Sequence, residues 1–252
     1  TTALFFLLSL GILFVAIRYP AWIFPLALAE IIATSNGHSA DLVIFGVSIG
    51  PRMILFVALM VITILNSKIS FRKSTLTIPL LVLMSWVVFS AIRGVVSGYD
   101  LRDVFLDTNG YIAILYVWSA FVWQSMAVNK KILFEAIAGA TVWIILKTLF
   151  LFFAFGHFDP VLLHPLNTWI RDTRLGEITL QIGNVYRGFL QSQWFIVPAI
   201  LLSVSYIWFA ERKRETWVRL FLLCALSALL VSLSRTFWLA LLISGIILLT
   251  FC

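Results

Sequence analysis

The sequence predicts an all-α fold: a polytopic transmembrane helical bundle with about nine membrane segments. Three observations carry this expectation. Hydrophobic residues fill 62% of the 252 positions and charged residues only 12%, whereas soluble domains hold roughly 45–50% apolar and about 25% charged residues. The mean hydropathy is +1.06, so lipid rather than water is the expected solvent. The apolar runs are continuous instead of alternating, which favours helices over a transmembrane barrel, since each spanning segment must satisfy its own backbone groups.

A hydrocarbon core of about 30 Å takes about 20 apolar residues per helix. Apolar runs lie at 3–17, 21–33, 51–66, 76–92, 108–126, 132–155, 190–210, 217–233 and 236–252. The first two are short and flank Arg18-Tyr19-Pro20, which marks either a tight hairpin or one broken helix. As a single helix, 217–252 would be about 54 Å long at about 1.5 Å per residue; it must fold back, and Arg235 marks the turn. Basic residues cluster at Lys68, Arg72 and Lys73, at Lys130 and Lys131, and at Arg212, Lys213 and Arg214. All three loops can be cytoplasmic at once, as the Lys/Arg bias of membrane proteins demands. The alternate connections, 34–50, 93–107, 156–189 and the hairpin at Ser234-Arg235, then face outward. The chain 1–252 reads as one transmembrane domain, with the polar loop 156–189 as its main extramembrane element. Thr1-Thr2 at the start and Cys252 inside an apolar run read as the ends of a fragment. No basic leader and small-residue cleavage site precede the first run, so it is not read as a cleaved signal peptide.

The net charge of +7 does not point to nucleic acid, because the basic residues sit in short clusters between apolar runs. Cys224 and Cys252 lie inside apolar runs and imply neither a disulfide framework nor a metal cluster. His157, Asp159 and His164 share the loop 156–189, but Pro160 and Pro165 break any helical ligand face and no HExxH spacing occurs. No Walker loop or Rossmann glycine pattern is present, so no nucleotide or other cofactor is expected.

Two arginines stand at the outer boundary of lipid, where positive-inside statistics do not place them. Arg187 lies in Tyr186-Arg187-Gly188-Phe189 at the mouth of the seventh segment, and Arg235 in Ser232-Leu233-Ser234-Arg235-Thr236 at the turn before the ninth. A guanidinium offers a planar fork of donors that matches phosphate oxygens. The alternative is an arginine that snorkels to lipid headgroups. Arg93, Arg102, Asp103, Lys147, Arg171, Arg174 and Ser234 are secondary candidates for the same site. Asp100, Asp103 and Asp107 also suit the start of a helix, where acidic groups meet the positive end of the macrodipole. Glu30, Glu135 and Lys147 fall within apolar runs, where ionisable groups are a functional signal; Glu135 is close enough to Lys131 for a surface role.

An outward "GYDLRD" before one helix, "YRGFLQSQWF" opening another and "SLSRTFWLALLISG" across a hairpin resemble the bacterial O-antigen ligase and O-antigen polymerase family. The resemblance covers most of the chain by topology and three short motifs by residue. It implies a multi-pass protein of the bacterial inner membrane that works as a glycosyltransferase without nucleotide sugars. Glycan would pass from an undecaprenyl-diphosphate carrier to lipid A core or to a growing polysaccharide on the periplasmic face. Arginines at the outer face bind the diphosphate in that family, and the matching positions are Arg187 and Arg235. A functionally important His of the family sits in a large later loop; His157 and His164 do not match it, so the catalytic residues stay unassigned and the fragment is expected to be inactive alone. The alternative is a transporter or flippase for a lipid-linked or anionic substrate, for which inverted repeats and helices broken at mid-membrane would be the signature.

Overall fold

The structure, a computed structural model, describes residues 2–34, 42–44, 47–66, 77–112, 114–126, 130–173, 175–183, 185–209 and 215–251. Within these the chain is mostly helical. In order the elements are α1 (Thr2–Arg18), a 3₁₀ turn (Pro20–Trp22), α2 (Ile23–Thr34), strands β1 (Leu42–Ile44) and β2 (Val47–Ile49), α3 (Pro51–Asn66), α4 (Thr77–Val96), α5 (Leu101–Ile112) and α6 (Ile114–Ser125). They continue with α7 (Lys130–His157), α8 (Pro160–Asp172), β3 (Gly176–Ile182), β4 (Val185–Leu190), a second 3₁₀ turn (Gln191–Phe195), α9 (Ile196–Phe209), α10 (Glu215–Ser232) and α11 (Arg235–Phe251).

The all-α expectation needs one correction, because two antiparallel hairpins are present, β1–β2 and β3–β4. The second lies largely within the stretch 156–189. Ile178, Leu180 and Ile182 alternate with polar residues, and Gly183 turns the chain with φ +60°, a left-handed conformation that glycine adopts without steric cost. The expected outer loop 93–107 is also mostly helix, since α4 runs on to Val96 and α5 begins at Leu101.

Nine membrane segments are not what these helices support. Among the described residues two helices are long and apolar enough to cross a membrane, Ile78–Val96 and Lys130–His157, with mean hydropathies of 1.9 and 2.0. A third would be α1 and α2 taken together as one span, bent by 119° at Pro20. The shortfall is one of helix length. The run 190–210 opens with a 3₁₀ turn, which leaves α9 with 14 residues, about 21 Å against a hydrocarbon core of about 30 Å. The basic clusters at 68–73 and 212–214, which carry the expected orientation, lie outside the described residues.

The chain forms two compact units. One comprises 7–27 and 53–130. In it the Trp123 indole donates to Ala21 O at 2.7 Å and its ring packs on Phe24. Thr63 donates to Ser119 Oγ at 3.0 Å, both side chains being buried. Helix α4 gives almost nothing to the core: only 6% of its apolar window is buried, and Ile78, Trp86 and Val96 are widely exposed. Such a face is far larger than the apolar patches water-facing proteins tolerate.

The other unit comprises 1–6, 28–52 and 131–252. Its main core gathers Ile32, Ile144, Ile145, Ile196, Ala225 and Leu229 from α2, α7, α9 and α10. A second cluster of Leu151, Phe155, Ile170, Leu175 and Leu190 ties the last turns of α7 to α8 and the β3–β4 hairpin. Asp159 opens α8 as its N-cap, accepting from Val161 N at 2.8 Å, with Pro160 at the first helical position, where its missing N–H costs nothing.

Candidate functional site

The site grows from the corner between α10 and α11. Leu233 leaves α10 with φ +47°, and its N–H donates to Leu230 O at 3.1 Å. Ser232 Oγ donates back to Leu229 O at 2.7 Å and accepts from Ser234 N at 3.3 Å, so the reversal is held by its own serine. Ser234 then stands at the head of α11, and its carbonyl accepts from Trp238 N at 3.3 Å. A leucine in the left-handed region is strained by about 1–2 kcal/mol, and this side chain is half exposed. Leu233→Gly is therefore expected to raise the stability of the purified chain by about 1 kcal/mol, read as an upward shift in its melting temperature in detergent.

Strand β4 delivers Arg187 to this corner. Its Nε donates to Ser232 O at 3.0 Å, and its guanidinium carbon lies 5.4 Å from the Phe189 ring centre. Phe189 in turn stacks on Phe237 of α11, at 5.9 Å between centres and 17° between planes. The next residue, Gly188, is tied the other way. Its carbonyl accepts from Gln193 Nε2 at 2.9 Å, and the same amide nitrogen donates to Thr148 Oγ1 of α7 at 3.1 Å. Two successive residues of β4 are thus clamped, one to α10 and one to α7. Beyond Nε, which holds Ser232, a guanidinium carries two terminal nitrogens that form a fork of donors.

The structure therefore brings Arg187 to the corner that carries Ser234 and Arg235, through a bond to Ser232 that spans 45 positions. Arg235 is exposed as the first residue of α11, and Ser234 is buried beneath it. A helix of 17 residues presents its unpaired first-turn N–H groups and positive dipole end at the same corner. Arg187 is not at the mouth of a helix, as its sequence context suggests, but on strand β4, four residues before the 3₁₀ turn that leads into α9.

The secondary candidates fall elsewhere. Lys147 of α7 donates to Ala33 O at 2.8 Å, in the last turn of α2, where carbonyls lack helical partners. Arg171 is exposed and lies 3.6 Å from the carboxylate of its neighbour Asp172, a contact of little energetic weight at the surface. Arg174 lies outside the described residues, and for Arg102 only its place in α5 is described. Arg93, in the last turn of α4, and Asp103, in the first turn of α5, belong to the other unit. Asp103 and Asp107 border an open groove of about 340 Å³ between α4 and α5, with Trp86, Tyr99 and Tyr111. His157 places Nδ1 2.9 Å from Phe153 O and stacks on that ring, while Asp159 serves as the cap of α8. Glu135 lies 3.5 Å from Lys131 on the exposed side of α7.

Sequence reasoning missed two residues of consequence. Gln193, fully buried, forms the link between β4 and α7 just described; it stands inside the quoted motif without being singled out. Arg52 pairs with Glu30 across the turn from α2 to α3, with Nε 2.7 Å from Oε2 and Nη2 3.0 Å from Thr34 Oγ1. Thr34 Oγ1 closes the triad on Glu30 Oε1 at 2.5 Å. Nothing in the local pattern around Pro51-Arg52 signals this pairing across 22 positions. Glu30→Ala leaves the guanidinium without its anion and is expected to cost about 2 kcal/mol, below the roughly 3–5 kcal/mol of a fully buried pair. Glu30→Ala with Arg52→Ala should recover part of that loss, as a thermal double-mutant cycle would read.

Compared with protein families, curated proteins and solved structures, the chain has no match. The functional reading thus stands on the site itself and on the three motifs.

Proposed function

We propose that the chain is a bacterial inner-membrane protein that binds the polyprenyl-diphosphate carrier of an envelope glycan ligase or polymerase, with transfer to lipid A core or a growing polysaccharide. One observation carries the reading: Arg187 Nε rests on Ser232 O at 3.0 Å, which sets a second guanidinium beside the Ser234-Arg235 start of α11. Two arginines and the first-turn N–H groups of a helix belong to one corner, and both kinds of donor suit phosphate oxygens. The apolar composition and the two helices long enough to span support a bilayer location. A lipid-linked donor enters such a site from the membrane, with its diphosphate at headgroup depth.

The chemical role follows from charge. When the glycosyl–oxygen bond breaks, its electron pair stays with the diphosphate, whose negative charge rises. Fixed donors already aimed at that group stabilise the change without reorganising. Because the sugar is activated by its own diphosphate, no nucleotide is needed. The second reading, a transporter or flippase, is favoured by the 119° break between α1 and α2, since helices interrupted within the membrane often frame transport sites.

The deciding experiment compares Arg187→Ala and Arg235→Ala, introduced in the full-length gene, at matched membrane levels in a host deleted for it, following surface polysaccharide and lipid-linked donor together. Loss of polymer with donor accumulating in the outer leaflet supports the ligase or polymerase. Donor held in the inner leaflet supports the transporter, and unchanged polymer from both variants removes the diphosphate site.

A further inference from the structure

Helix α8 carries three stripes, and only one of them belongs to the core. Leu163, Leu166 and Ile170 pack against Leu151 and Phe155 of α7 and against Leu175 and Leu190 of the hairpin. His164, Asn167 and Arg171, at the same 3.6-residue period, form an exposed polar stripe. The third stripe is Val161, Leu162, Pro165 and Trp169. It is apolar yet open, with Val161 77%, Leu162 74% and Trp169 41% exposed.

This open stripe does not end with α8. Phe158, just before the helix and 52% exposed, meets Phe153 edge to face at 6.2 Å. Phe153 belongs to the exposed side of α7 that also carries Phe150 and Trp143. One uncovered apolar surface therefore runs from a helix long enough to span a membrane onto α8. Its place along α7 is set as well: α8 shares a core cluster with Leu151 and Phe155, in the last two turns of that helix. Leu151 is six residues from the end of α7, about 9 Å at about 1.5 Å per residue, so α8 lies within reach of an acyl–headgroup boundary.

We infer that α8 is an interfacial helix, with Val161, Leu162, Pro165 and Trp169 seated in the lipid leaflet that the His157 end of α7 reaches and His164, Asn167 and Arg171 in water. The inference rests on the membrane reading above. It adds a task for the hairpin: α8 shares its core with Leu190 of β4, so seating α8 in the leaflet fixes the depth of Arg187 three residues away. A lipid-linked diphosphate would find the guanidinium at the level of the surrounding phosphates.

Site-directed spin labelling in the whole chain tests this. Cys224 and Cys252 are replaced by Ser, and single cysteines are placed at exposed positions to leave packing intact. The labels go at Leu162→Cys and Trp169→Cys, at His164→Cys and Asn167→Cys, and at Phe150→Cys and Trp143→Cys on α7 as references. The protein is reconstituted in phosphatidylcholine–phosphatidylglycerol vesicles, and collisions with oxygen and with a water-soluble nickel chelate are compared. The expected oxygen-to-nickel ratio is several-fold higher at 162 and 169 than at 164 and 167, and close to that at 143 and 150. Nickel access at every α8 position, with oxygen access retained at 143 and 150, would overturn the interfacial helix and leave the membrane reading standing. Nickel access at 143 and 150 as well would remove the membrane reading itself. Protection of 162 and 169 from both reagents would assign the stripe to a protein partner and overturn the proposal.

Discussion

If the corner holds the carrier diphosphate as proposed, Arg187→Lys is expected to weaken diphosphate binding almost as far as Arg187→Ala, by about 10²-fold. Charge is conserved in the lysine variant, but geometry is not. In the native chain one nitrogen of the guanidinium holds Ser232 O at 3.0 Å, and phosphate would be met by the terminal pair. A lysine has a single ammonium on a flexible stem and cannot serve both partners. Arg235 is exposed at the start of α11, so Arg235→Lys keeps a mobile cation near the same oxygens and should lose no more than about 10-fold. Titration of a polyprenyl diphosphate into the chain in vesicles, normalised to folded protein, separates the two. Equal losses at both positions would mean that Arg187 supplies charge alone.

Gly176→Ala is expected to be the most damaging single methyl in the hairpin. A Cβ at this position would stand 2.2 Å from Phe189 O and 2.9 Å from Leu190 Cα. Both are backbone atoms of the paired strand and cannot swing aside as a side chain would. Gly176 pairs with Leu190, and Gln191 N donates to Leu175 O at 3.1 Å directly beside it, so the strands must part or slip. The expected cost is about 3 kcal/mol or more, at the upper end of overpacking effects, and Arg187 would move with β4. Gly245→Ala in α11 is the control: nothing lies within 4 Å of its added methyl, and helix propensity favours alanine by about 1 kcal/mol. Melting temperatures in detergent should therefore shift in opposite directions.

Much of the helical pattern was legible in the sequence because polar and charged residues punctuate it. The runs 51–66, 217–233 and 236–252 became α3, α10 and α11 within about two residues, and the fold-back at Arg235 follows from length alone. The 3₁₀ turn at Gln191–Phe195 was not legible, because hydropathy measures apolarity and carries no record of where α-helical hydrogen bonding gives way. The β3–β4 hairpin did leave a signal, the alternation of Ile178, Leu180 and Ile182 before Gly183-Asn184, which a polar composition masks. For the candidate site, Arg187, Ser234 and Arg235 stand out as polar groups at apolar boundaries. The bond from Arg187 to Ser232 spans 45 positions, and that of Arg52 to Glu30 depends on how two helices pack; neither has a local sequence signature.

The central claim is that this corner holds a diphosphate presented by a lipid, and binding tests it most directly. The purified chain in nanodiscs would be titrated with a polyprenyl diphosphate and, separately, with the matching polyprenol, alongside a variant carrying Arg187→Ala and Arg235→Ala. The account predicts that the native chain retains the diphosphate far better than the alcohol and that the double variant binds both alike. Equal retention of the diphosphate by native chain and double variant would contradict it.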